Sequence, residues 1–139
     1  MNNKVLLIKY DKHLYFYTKE GTYIKSIPIY EYLDNLCIEY GSSLNGRLEA
    51  FRRITKIKYK PSLIISNKYN IYYIVTHSIR SSFNYLINYS ELIDYKAIDS
   101  YRTCLIFQDG IKHIIPVNYR IIKRQIMNLK YYLNSMTFK

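Results

Sequence analysis

Apolar residues recur along this chain with two different periods. Val5-Leu-Leu-Ile8 and Leu14-Tyr-Phe-Tyr17 are short apolar runs separated by Asp11-Lys12, which predicts a strand hairpin, and Glu20-Gly21 turns into a third strand at Tyr23 to Ile27. Pro28 then opens a segment in which Ile29, Leu33, Leu36 and Tyr40 stand at helical spacing, with Gly41 where a C-terminal cap belongs. Ser42 or Ser43 can cap a second helix whose Leu44, Leu48 and Phe51 share one face, leaving Arg47, Arg52 and Arg53 near or beyond its edges.

After Pro61 the period returns to that of strands. Leu63-Ile-Ile65 and Ile71-Tyr-Tyr-Ile-Val75 flank the hairpin loop Asn67-Lys-Tyr-Asn70, and further β-like runs lie at Tyr85 to Tyr89, Cys104 to Phe107 and Ile111 to Val117. Asp109-Gly110 between the last two is a short-range hairpin signal. From Asn118 to Leu133 the helical period resumes: Ile122, Ile126, Leu129 and Leu133 form one stripe, and Arg120, Lys123, Arg124 and Lys130 lie opposite. No repeat, low-complexity tract or linker interrupts residues 1–139. The expected fold is a single α+β domain of antiparallel strands and hairpins, with two short central helices and a basic amphipathic C-terminal helix.

The junction of the two central helices admits two readings. Helix, glycine turn, helix is the outline of a helix-turn-helix. Gly46, however, costs a helix about 1 kcal/mol relative to alanine. The alternative is a tight loop from Gly41 to Gly46, in which Gly41, Ser42, Ser43 and Gly46 present backbone amides beside Arg47 to an anion.

Charge sharpens the picture. The net charge is +11, from 21 basic and 10 acidic residues. Eighteen tyrosines, only two alanines, and lysine in place of arginine fit AT-rich coding. The shortage of acids does not follow from it, because aspartate and glutamate codons are equally available. From Arg47 to Arg80 eight basic residues face the single acid Glu49, and from Gly110 onward six more face none. Two basic bands on separate segments point to a polyanionic partner, with nucleic acid first and an anionic membrane surface second.

Other classes fare worse. The longest apolar runs fall far below the roughly 18 residues that span a bilayer, and Met1-Asn-Asn-Lys4 lacks a signal-peptide core, so a cytoplasmic, nucleoid-associated location is expected. Cys37 and Cys104 stand in apolar patterns without ligand-spaced neighbours and read as buried, reduced thiols. Glu91, Asp94, Asp99 and Asp109 with His113 are the only late set of acids and histidine for a metal-dependent nuclease. Asp109 belongs to a hairpin and the other three flank strands. No nucleophile motif or phosphate loop ending in Gly-Lys-Ser or Gly-Lys-Thr is present. Neither an enzyme nor a metal or other cofactor is expected. Most tyrosines alternate with isoleucine or leucine in strands; Tyr59, between Lys58 and Lys60, is the one placed to stack on a base.

An ordered set of blocks adds a family. Cys37 is separated by three residues from Gly41-Ser-Ser-x-x-Gly-Arg47. Ile54-Thr-Lys-Ile-x-x-Lys-Pro61, Thr76-His-Ser78, Phe107-x-x-Gly110 and Ile114-Ile-Pro-Val117 follow, ahead of a basic final helix. In order and spacing over roughly residues 32 to 133 the chain resembles the ComK competence transcription factors of low-GC Gram-positive bacteria. It departs from them in lacking a tryptophan near positions 85 to 86 and the longer charged tail that many members carry. The resemblance implies a positive regulator of DNA-uptake genes, bound to paired A-tract and T-tract boxes of double-stranded AT-rich DNA as a homodimer or a dimer of dimers. RNA polymerase and an adaptor-protease system are the further partners it implies, the latter more weakly coupled where the tail is short.

Charge and position, rather than family contacts, nominate the residues. Arg47, Arg52, Arg53, Lys56, Lys58 and Lys60 are the expected principal contacts, and Arg120, Lys123 and Arg124 the phosphate clamps. A-tracts have a narrow, strongly negative minor groove that attracts inserted arginine and lysine, so shape readout with phosphate anchoring is the expected mechanism. Two alternatives stay open: a truncated paralogue that modulates a full-length regulator in mixed oligomers, and a general RNA or single-strand binder.

Overall fold

The computed structural model describes residues 4–137. The chain runs β1 (Val5–Asp11), β2 (His13–Thr18), β3 (Thr22–Lys25), α1 (Ile29–Glu39), α2 (Leu44–Thr55), β4 (Leu63–Ser66), β5 (Ile71–Val75), β6 (Phe83–Asn88), β7 (Leu92–Ala97), β8 (Thr103–Phe107), β9 (Lys112–Ile115) and α3 (Tyr119–Thr137). Six strands form one antiparallel sheet in the order β3-β2-β1-β6-β5-β4, and β7-β8-β9 form a second, three-stranded one. This is the α+β architecture that the pattern predicts.

The large sheet is covered on both faces. Ile8, Leu14, Phe16, Leu63, Ile65, Tyr73, Val75 and Leu86 pack under Ile29, Leu33 and Cys37 of α1 and Leu44 and Leu48 of α2. On the other face Leu7, Ile64, Tyr72, Ile74, Tyr85 and Ile87 meet Ile122, Ile126, Leu129 and Tyr132 of α3, together with Leu105, Phe107 and Ile115 of the small sheet. Successive strand residues point to opposite faces, so a strand covered twice carries an unbroken apolar run. Leu63-Ile-Ile65 and Tyr72-Tyr-Ile-Val75 read that way for this reason.

One helix joins the layers. Phe51 of α2 is fully buried and stacks on Tyr132 of α3 with ring centroids 5.4 Å apart. Burial of such a ring contributes about 1.5–3 kcal/mol. Here it also fixes α2, which packs on edge strand β4, against the helix on the opposite face of the sheet.

Several expectations need correction. The loop is shorter than Gly41 to Gly46: residues 41–43 form the turn, and α2 begins at Leu44 and includes Gly46. β7 is a strand that the periodicity did not reveal, and Asp94 lies inside it rather than beside a strand. The β8–β9 hairpin stands, but its connection is a 3₁₀ turn over Gln108–Gly110 with Asp109 at φ 63° and Gly110 at φ 74°. Cys104 is half-buried, whereas Cys37 is buried. Among the described residues no helix is long and apolar enough to cross a membrane.

Candidate nucleic-acid interface

The block from Gly41 to Arg47 builds a corner between two helices. Gly41 leaves α1 at φ 92°, a conformation that favours glycine. Ser43 then caps α2, its Oγ accepting from the Gly46 N–H at 3.0 Å, and Asp34 Oδ1 accepts from the Leu44 N–H at 2.8 Å. A Cβ at position 46 would meet Ser42 Oγ at 2.9 Å and Ser43 Oγ at 3.2 Å, so glycine is what lets both hydroxyls come this close. Arg47 turns back to the end of α1, where Nη2 donates to the Tyr40 carbonyl at 2.9 Å. Of the amides that the loop reading offered to an anion, those of Gly41 and Ser42 donate to the Ile38 and Cys37 carbonyls and that of Gly46 to Ser43 Oγ. Arg47 is half-buried against a helix C-terminus, which favours a cation.

The exposed basic cluster begins one turn later. Arg52 and Arg53 stand in the last turn of α2, and Lys56 ends the helix in the left-handed region at φ 65°, its N–H donating to the Arg52 carbonyl at 2.8 Å. That reversal carries the chain back beside the helix, where Arg52 Nε donates to the Lys58 carbonyl at 3.3 Å. Arg52, Arg53, Lys56 and Lys58 line one shallow hollow of about 420 Å³ together with Glu49. Arg53 pairs with Glu49 at 3.0 Å with both side chains exposed. Such a pair contributes little, about 0–1 kcal/mol, and exchanges readily for a phosphate.

Lys60 leads to the second cluster. It too is left-handed, at φ 48°, and its Nζ donates to the Thr76 carbonyl at 3.2 Å. Buried Gln125 of α3 donates through Nε2 to the carbonyls of Lys60, at 3.0 Å, and Val75, at 2.8 Å, which ties α3 to this segment. Burial, and then the Arg124 charge, hold the Lys60 ammonium below its ordinary pKa; burial and the Lys60 charge do the same to the His77 imidazolium. Between the clusters Tyr59 is 74% exposed, with Lys60 Nζ 5.5 Å from its ring centre.

Arg120, Lys123 and Arg124 lie exposed on the first turns of α3. The first turn of a helix disfavours a cation, by about 0.3–1 kcal/mol, and Arg120 stands there with no acid in that turn, whereas Lys123 and Arg124 lie beyond it. The dipole does favour Arg52 and Arg53 where they stand, in the last turn of α2. Of the nine basic residues named from the sequence, Arg52, Arg53, Lys56 and Lys58 share one hollow, Lys60 and Arg124 lie close enough for their charges to interact, Arg120 lines a separate hollow beside Asp99, and Arg47 is withdrawn.

Two positioning residues escaped the sequence reading. Gln125 is a polar residue on the apolar stripe of α3, a signal that was present. Asn84, fully buried, accepts from the His77 N–H at 3.0 Å and donates to the carbonyls of His77, at 3.0 Å, and Ser78, at 3.1 Å. The Thr-His-Ser block is thus a turn built around Asn84. Among the described residues no group of three or more metal-ligating side chains is assembled.

A family model described as ComK protein matches residues 7–138. No curated protein and no solved structure matches the chain. The match spans nearly the whole sequence, and the chain belongs to the ComK family of competence transcription factors.

Proposed function

We propose that this chain is a DNA-binding transcriptional activator of DNA-uptake genes, reading AT-rich duplexes through phosphate and minor-groove contacts. The observation that carries this is the single hollow shared by Arg52, Arg53, Lys56 and Lys58, with only Glu49 opposing them. A strand of regularly spaced phosphates matches a run of cations better than any one small anion does. Arg120, Lys123 and Arg124 extend the contact as clamps, and Lys60 joins the two groups.

Groove entry falls to the irregular segment between α2 and β4. Lys58 and Tyr59 are exposed there and flanked by Lys56 and Lys60, two lysines in a conformation that glycine adopts without strain. A non-glycine residue in that region costs about 1 kcal/mol or more, and such strain gathers at functional sites. The test is binding of one duplex across a salt series. Four phosphate contacts predict a slope of log K against log salt of about −3.6 or steeper; a flat dependence overturns the reading.

A further inference from the structure

The small sheet has one covered face and one bare face. Tyr95, Leu105 and His113 share a row on the covered side, as do Ala97, Thr103 and Ile115. The intervening rows point outward: Lys96, Cys104 and Ile114 in one, Asp94, Ile106 and Lys112 in the other. Ile114 is 56% exposed, and Ile93, in the bulge of β7, is 57% exposed. Among the described residues Asp94, Lys96 and Lys112 form no ion pair.

The order of residues in these rows is self-complementary. A twofold axis between two such faces, running along β8, sets β7 of one copy over β9 of the other. Asp94 then opposes Lys112 of the second copy, twice over. Ile106 opposes Ile106, Cys104 opposes Cys104, and the stem of Lys96 covers Ile114. We infer that the outer face of β7-β8-β9 is the docking surface for a second copy of this chain, packed sheet on sheet with Asp94 paired to Lys112 across the axis. This inference is independent of the DNA-binding reading.

Three short strands make a small face, below the ~1,200 Å² of a standard interface, so the dimer is weak and is populated in the micromolar range. Stacked sheets lie about 10 Å apart, which places the two Cys104 thiols within reach of a short bismaleimide but too far apart for a direct disulfide. The other thiol, Cys37, is buried.

Sedimentation equilibrium through the micromolar range, with circular dichroism to verify folding, tests this. Asp94→Lys and Lys112→Asp each put like charges in contact and are expected to weaken association at least about tenfold. The double exchange Asp94→Lys with Lys112→Asp restores the pairing and is expected to restore the dimer. Bismaleimide is expected to link wild-type chains and not Cys104→Ser. A monomer at all concentrations, a dimer indifferent to both single exchanges, or a double exchange no better than either single one overturns the proposal.

Discussion

Arg47 Nη2 donates to the carbonyl of Tyr40 at 2.9 Å, joining the second turn of one helix to the end of the helix before it. The contact gives a structural role to a residue that charge and position alone place among the principal DNA contacts. Its Nε is buried without a partner, so the guanidinium is held by its packing as well as by this bond.

Arg47→Ala is expected to destabilise the fold by about 1.5–3 kcal/mol, the range for a hydrogen bond to a charged group, while leaving the salt slope of DNA binding near its wild-type value. Chemical denaturation and anisotropy measure the two effects separately. A reduced slope with unchanged stability would return Arg47 to the interface.

The reverse is expected for the next arginines. Arg52→Ala with Arg53→Ala removes two exposed cations from one hollow, so binding should weaken on every duplex and the salt slope should fall by about two. Stability should fall by no more than about 2 kcal/mol, because the Arg53–Glu49 pair is exposed and the other losses are the Arg52–Lys58 hydrogen bond and two favourable charges at the helix end. An unchanged slope would place the phosphates elsewhere.

Lys56 joins both arguments in one residue. Glycine relieves a left-handed helix cap at φ 65°, so Lys56→Gly should raise stability by up to about 1 kcal/mol and at the same time weaken DNA binding. Thermal melts and anisotropy on the same sample decide it. Tighter or unchanged binding would show that the lysine is only a cap.

Stability should plateau near neutral pH and fall on both sides. Burial pushes the Cys37 thiol up from 9.0 to about 11 and the Tyr32 phenol from 10.0 to about 12, and raises Tyr73 as well. These groups contribute stability that is full below their unfolded values and is lost as pH rises through the folded ones, from about 9 upward. Burial lowers His77 and His113 below 6.5, so their contribution is present above that value and is lost as pH falls through the folded values. Melting temperature followed across pH checks both limbs; a melting temperature that is flat to pH 12 would contradict the alkaline one.

Periodicity exposed most of the fold because β4, β5 and β6 of the large sheet are buried on both faces and nearly unbroken in apolar residues, while exposed β3 was marked by the Glu20-Gly21 turn before it. β7 was hidden for the opposite reason. Its outer side carries Asp94 and Lys96, and a bulge between Leu92 and Asp94 breaks the alternation that would have marked it. Cys104 was misplaced because Thr103 to Phe107 is apolar on both faces, while only Thr103, Leu105 and Phe107 turn inward. The basic surface was legible as a charge band. The withdrawal of Arg47 was not, since it depends on how α1 and α2 pack, and no local pattern encodes that angle.

Shape-directed recognition of AT-rich duplexes is decided by anisotropy near physiological salt. The protein is titrated onto a duplex with paired A and T tracts and onto a GC-rich duplex of equal length. At least a tenfold preference for the first is expected, about 1.4 kcal/mol. Equal, weak binding to both would contradict it and leave a basic surface without readout.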